Sequence, residues 1–233
     1  LARTFMEITS AIANGEETID VFSRLTLKCV ELLPVSAAGI LLRDADGVLR
    51  VIGASNPSAH LLDLFQVQNE EGPCLECLAT GEPIADTDLD SAGRWPRFAA
   101  LARAHDFSAV YALPLHSHQV AVGALNLFAH TTLSDDRLLV AQSLADTATL
   151  SLLHVDARMD GSLVVQRIRM AVEARNTLDQ ARGMLAQRFT IDGDAALVRL
   201  QEVARETGLS LREVATAVVL RDTESPTFIY IAE

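Results

Sequence analysis

The 233-residue chain predicts an α+β domain built on an antiparallel sheet flanked by helices, then a helical linker and an all-α three-helix bundle. Three observations carry this reading. Short apolar runs come in pairs around turn signals, as hairpin strands do, with helical periodicities between the pairs. From Ser134 onward every periodicity is helical. The charges also divide unevenly: 10 basic against 21 acidic side chains in residues 1–162, and 9 against 10 in residues 163–233.

Taken in order, residues 1–15 carry no clear signal and read as a lead-in. Ile19, Phe22, Leu25, Leu27, Val30 and Leu33 recur at helical spacing and stop at Pro34, which predicts a helix from Glu16. Ala37 to Arg43 reads as a strand, Asp44-Ala45-Asp46-Gly47 as a hairpin turn, and Val48 to Ile52 as the returning strand. Ser58 is placed to cap a helix through Phe65. Gly72-Pro73 opens a short helix over Cys74 to Ala79, which Gly81 closes. A short strand near Pro83 to Asp86 follows, and Pro96 starts a helix that reaches His105. Ala109 to Leu115 and Val120 to Phe128 form a second hairpin across His116-Ser117-His118-Gln119. Ser134 with Asp135 and Asp136 opens a helix whose acids complement its dipole.

That helix is expected to run towards Met159, with Asp160-Gly161-Ser162 as a kink or break, and periodicity resumes from Leu163 to Phe189. An unbroken rod from Ser134 to Phe189 would measure roughly 80 Å, too long for a small domain to bury, so it would pair with a second copy. Val164, Ile168, Ala171, Leu178, Leu185 and Phe189 mark its seam, with Arg175 and Arg182 on the same register. Gly183 interrupts it at about 1 kcal/mol relative to alanine. Asp192 caps a second helix ending at Gly208. Ser210-x-x-Glu213 is a capping box for a third, whose buried stripe is Leu211, Val214, Val218 and Val219.

Composition excludes several classes. A hydrophobic content of 49% supplies a core and rules out disorder. The most apolar run, Val120 to Ala129, is broken by Gly123 and Asn126 and falls short of a membrane span. Residues 1–7 lack the apolar stretch of a signal peptide. Three cysteines without a staple pattern suit the reducing cytoplasm. The net charge of −12 repels polyphosphates, so any nucleic-acid contact has to come from the arginine-dotted tail.

One tail segment, Arg175 with Asp179-Gln180-Ala181-Arg182-Gly183-Met184-Leu185-Ala186, is followed by Ile191-Asp192, Ala195 to Ala204 and Leu211 to Val219. In these residues and this spacing it resembles the ANTAR domain, an RNA-binding module of transcription antiterminators. The stretch Glu71-Gly72-Pro73-Cys74-Leu75-Glu76-Cys77-Leu78-Ala79-Thr80-Gly81-Glu82-Pro83-Ile84, with Gly123-Ala124-Leu125-Asn126-Leu127, resembles a GAF sensor domain of actinobacterial GAF–ANTAR regulators. The resemblances divide the chain into a lead-in (1–15), a GAF-like sensor (16–157), a helical linker (158–166), an ANTAR-like bundle (167–223) and a tail (224–233). They imply a cytoplasmic dimer, not an enzyme, that holds tandem RNA hairpin loops and so prevents a terminator from forming. Ala181, Arg182 and Gly183 carry over as RNA-binding residues. Arg175, Arg188 and Arg212 join them on charge and helix face. A GAF-like domain also implies a small-molecule ligand, whose identity no residue names.

Other patterns weigh less. Cys74-x-x-Cys77 has the spacing of a redox pair and would suit a thiol-based GAF enzyme, but Glu70, Glu71 and Glu76 surround it and disfavour the thiolate. His116-x-His118 falls on a hairpin turn, and Asp86, Asp88 and Asp90 lack the glycine and closing glutamate of a calcium loop. Neither is expected to hold a metal. The main rival is a DNA-binding helix-turn-helix around Ala204, Gly208 and Val214. Its recognition helix, Leu211 to Leu220, offers only Arg212, Glu213 and Thr216 for reading a major groove.

Overall fold

A computed structural model describes residues 1–44, 46–89, 93–117, 120–153 and 161–220. Its elements are α1 (Ala2–Ala13), α2 (Thr18–Leu32), β1 (Ala37–Arg43), β2 (Leu49–Ala54), α3 (Pro57–Asn69), α4 (Pro73–Thr80) and β3 (Ile84–Asp86). Then follow α5 (Pro96–Ala104), β4 (Ala109–Ser117), β5 (Val120–Ala129), α6 (Asp135–Leu153), α7 (Gly161–Phe189), α8 (Gly193–Thr207) and α9 (Leu211–Leu220). The chain divides into two compact units, Leu1–Arg169 and Met170–Glu233.

The first unit is built on a five-stranded sheet in the order β2-β1-β5-β4-β3, antiparallel throughout. Helices α1, α2 and α6 pack together on one face, and α3, α4 and α5 on the other. Covering both faces explains the strand sequences. In β1 the residues Ala37 to Leu42 are all buried, and in β4 so are Ala109 to Leu115. A half-exposed sheet would alternate polar and apolar residues instead. On the α3–α5 side, Leu62, Phe98, Phe107, Val110 and Phe128 form one buried cluster. Leu41, Val51, Cys74, Cys77, Leu78 and Ala124 form a second, and Trp95 packs against both.

Most expected elements occur where local signals put them, and three readings are corrected. Residues 2–13 form a helix rather than a lead-in. Thr4, Ile8, Ala11 and Ile12 are its buried row, a stripe too short to stand out without the face it covers. The cap of α3 is Asn56, whose side chain accepts from the Ala59 amide, and Pro57 follows at the first helical position. Ser58 instead shares a hydrogen bond with His105 Nδ1 at 3.1 Å.

The third correction concerns the rod. Arg167 donates to the Ser151 carbonyl at 3.2 Å. In one straight helix those residues would lie roughly 24 Å apart along the axis. Ser151 and Arg167 therefore do not lie on one unbroken helix, and Val164 and Ile168 are buried near the start of α7. The expected break at Asp160 lies outside the described residues, as does the rest of residues 154–160.

Candidate functional site

In the second unit the local signals build what the sequence predicts. Asp192 Oδ1 accepts from the amides of Asp194 and Ala195, capping α8. Gly208, at φ 71°, ends that helix in the left-handed conformation. The Glu213 carboxylate accepts from the Ser210 amide at 2.8 Å, and Ser210 Oγ accepts from the Glu213 amide at 3.2 Å, so the capping box before α9 is closed. These hydrogen bonds hold the Glu213 carboxyl below its ordinary range. Each helix buries an apolar row: Leu178, Ala181 and Leu185 from α7, Ala196, Leu200 and Val203 from α8, and Leu211, Val214 and Val218 from α9.

The predicted contact residues separate on this frame. Ala181 is wholly buried and Arg175 is 7% exposed, so neither presents a side chain to a partner. Arg175 Nε donates to Asp179 Oδ2 at 3.0 Å, which answers the cost of a cation on an apolar seam. Ala181 serves packing: a larger side chain there would have to fit into the bundle's interior.

Arg182 and Gly183 are placed differently. The Arg182 side chain keeps 27% of its surface, and its guanidinium stands 4.0 Å from the Asp179 carboxylate. The same guanidinium lies against Gly193 at the start of α8, where a Cβ would come within 3.1 Å of Nε. Gly183 is exposed, and a Cβ added there would meet nothing within 4 Å. At the end of α7, the Phe189 ring has two guanidiniums near it, Arg188 at 5.5 Å and Arg199 at 4.7 Å from the ring centroid. Arg188 and Arg212 are exposed. Arg199 and Phe189 were not among the predicted site residues. Their seven-and-more-residue separation from Arg182, on two helices, leaves no local signature.

The first unit holds a polar group of another kind. Asp63 on α3 is fully buried. Its Oδ1 accepts from Asn126 Nδ2 at 2.8 Å and from Gln66 Nε2 at 3.3 Å, and Gln66 Oε1 accepts from the Cys74 amide at 2.9 Å. Asp63 Oδ2 presses over Gly39, where a Cβ would collide with it, and both it and Asn126 Oδ1 lack a hydrogen-bond partner. Burial pushes the Asp63 carboxyl well above its ordinary value, against the pull of these two amides. Ala59, Leu62, Asp63 and Gln66 share the buried face of α3 at i, i+3, i+4, i+7 spacing, a pattern that puts Asp63 on the inward face but does not show what it meets there.

The thiols beside it are buried, which disfavours the redox exchange that CxxC spacing would allow. Cys74 and Cys77 are free and buried. Burial raises Cys77 to about 12 and Cys74 well above its ordinary value, so the reactive thiolate is scarce near neutral pH. Cys29 is likewise pushed up to about 12. An aromatic disulfide reagent at pH 8 should therefore modify none of the three thiols within minutes in the native chain, and all three after denaturation. Prompt reaction of one native thiol would contradict this placement.

His116 is the penultimate residue of β4 rather than a turn residue, and its Nε2 lies 3.0 Å from the Gly81 carbonyl. His118 and Asp90 lie outside the described residues. Among the described residues, no three His, Cys, Asp or Glu side chains come together as a metal site, and no helix is long and apolar enough to cross a membrane.

Comparison with known proteins follows the same division. A GAF domain family model matches residues 16–152, and an ANTAR domain model matches residues 166–219. No curated protein matches the chain significantly. Among solved structures, the chain is similar to the GAF domain of a phosphoenolpyruvate-protein phosphotransferase from Acinetobacter, at 15% identity and TM-score 0.53, covering 68% of this chain and 96% of that one. The corresponding Coxiella burnetii domain is 15% identical with TM-score 0.52, covering 66% and 92%. A phycoerythrobilin-bound GAF domain from a cyanobacterial phytochrome is 16% identical with TM-score 0.51, covering 65% and 93%. At such identity these likenesses speak for the fold alone.

Proposed function

Because the chain belongs to the GAF domain family and continues into an ANTAR domain, a GAF–ANTAR regulator, we propose that it is a cytoplasmic, signal-responsive transcription antitermination factor. Its bundle grips the loops of tandem RNA hairpins, and its GAF unit receives the signal. GAF and ANTAR domains are regulatory rather than catalytic, which fits a protein that is not an enzyme. Loop bases are unstacked and readable, whereas a closed A-form helix hides its sequence. Two loops call for two bundles, so the functional unit is a homodimer, and avidity offsets the weak electrostatics of a bundle with near-balanced charge.

The observation that carries this reading is Gly183 beside Arg182. The helix accepts a glycine at a cost of about 1 kcal/mol, yet among the described residues nothing lies within 4 Å of where its Cβ would be. Its use therefore lies outside the chain, where a nucleotide can come close to the backbone while Arg182 meets a phosphate. The small-molecule ligand of the GAF unit is left unnamed by its residues.

The helix-turn-helix alternative has less to work with. On α9, Glu213 is engaged in its capping box, leaving Arg212 and Thr216 as exposed polar side chains, too few for major-groove readout.

The test is a salt-titrated binding assay of the full chain with a tandem short-loop hairpin RNA and with duplex DNA. The expected result is preference for RNA, with Arg182→Ala weakening it about tenfold and reducing the salt slope by about one ion. Gly183→Ala should stabilise the bundle by about 1 kcal/mol while also weakening RNA binding. Preference for duplex DNA, or indifference to both substitutions, would overturn the proposal.

A further inference from the structure

The face of α7 that carries Gly183 also carries Asn176, Gln180 and Gln187. Spacings of four, three and four place Asn176, Gln180, Gly183 and Gln187 within one narrow arc over roughly 16 Å of helix, and all four are exposed. Among the described residues of the second unit, these are the exposed carboxamides. The remaining one, Gln201, is half-buried. They are thus gathered on one arc of one helix, around the glycine.

Nothing inside the described chain uses them. No hydrogen bond to another described residue engages the three side chains, although nearby Thr177 and Asp179 are both engaged. Asparagine is a weak helix former, at up to about 0.7 kcal/mol below alanine, so Asn176 and Gly183 both cost stability on the same face without a packing return. Positions that break a local preference with no compensating contact are where function is expected.

The chemistry of the arc complements unpaired bases rather than phosphates. A carboxamide carries a donor pair and an acceptor and no charge, which matches the neutral donor and acceptor edges of a splayed base. The cation, Arg182, lies about 100° around the helix from Gly183, where its guanidinium leans on Gly193. This separates the two tasks of nucleic-acid recognition: charge positions the backbone, and neutral hydrogen bonding reads the sequence.

Resting on the RNA-binding reading above, we propose that Asn176, Gln180 and Gln187 are the specificity-determining residues, forming hydrogen bonds to loop bases drawn against the helix at Gly183. They select which loop is bound, and Arg182 sets how tightly any loop is held.

The experiment uses the full chain and a pool of tandem hairpin RNAs with fixed stems and randomised short loops. Wild type, the triple variant Asn176→Ala/Gln180→Ala/Gln187→Ala, and Arg182→Ala are each taken through selection, then titrated against an enriched and a scrambled loop. Wild type should enrich a restricted set of loop sequences. The triple variant should keep its salt slope but lose at least about tenfold of its discrimination between the two loops. Arg182→Ala should weaken both loops alike and keep the ratio. Alanine favours the helix at all three positions, so circular dichroism should show undiminished helicity.

A triple variant that retains wild-type loop preference overturns the inference while leaving the RNA-binding reading in place. So does a wild type that binds the pool without enriching any loop. A wild type that binds no hairpin RNA removes both.

Discussion

Gly123→Ala should lower the stability of the GAF unit by about 3 kcal/mol, the upper range for overpacking a tight interior. Gly123 lies in β5 opposite Leu42 of β1 and Leu115 of β4. A Cβ there would run into the Leu41 backbone carbonyl and the Leu42 side chain. The Leu42 side chain can turn aside, but the carbonyl belongs to a central strand and moves only if the ladder moves. The measurement is urea unfolding of the full chain, followed by the fluorescence of its single tryptophan. Trp95 packs on both clusters beneath the sheet and so reports this unit rather than the bundle. A midpoint unchanged within error would show that the β1–β5 contact is looser than described. Gly183→Ala is the internal contrast, because an identical substitution into open space strengthens its helix.

The second large effect is a pH dependence centred on Asp63. Its folded-state pKa is raised above the unfolded value, so between the two the native state holds a proton that the unfolded chain has released. Stability from this group is greatest below about pH 4, the ordinary aspartate value. It declines as pH rises towards the raised pKa, by about 1.4 kcal/mol for each pH unit in that window. Asp63→Asn cannot ionise and should remove the slope, so the variant gains on wild type with rising pH and is the more stable at pH 7. Asn126→Leu removes the donor at 2.8 Å and should cost about 2 kcal/mol in the wild-type background. The readout is the difference in unfolding free energy between wild type and Asp63→Asn at pH 5, 6, 7 and 8. A difference that stays constant over that range would mean that Asp63 is ionised in the folded protein.

The elements of this protein were legible to the extent that their causes are local. Pro73, Pro96, Asp192 and the Ser210–Glu213 pair act within one helical turn, and each starts its helix where the rule for its residue type puts it. The two hairpins follow from turn residues between apolar runs. The signal for α1 is weaker, because four buried residues in twelve look like chance until α2 and α6 lie against them. The N-cap of α3 was displaced by two residues because asparagine and serine are both good caps. Pro57 and the geometry before it chose between them.

The site divides in the same way. That Arg182 and Gly183 form an unusual pair is a statement about helix propensity, and the residue types alone make it. That Arg175 and Ala181 face inward while Gly183, Asn176, Gln180 and Gln187 face outward depends on which arc of α7 the bundle covers. A seam shared by apolar residues and arginines leaves that arc ambiguous by about one residue either way.

By itself, then, the amino-acid sequence determined the order of helices and strands, the antiparallel pairing, the acidic body and the arginine-bearing tail. Each of these follows from periodicity, capping or charge over a few neighbouring residues. Only the tertiary structure decided that Asp63 is buried against Gly39 and Asn126, that Ser151 and Arg167 meet off any single straight helix, and that the glycine face of α7 is exposed. Those outcomes depend on contacts between residues far apart in the chain, whose burial and desolvation no single segment encodes.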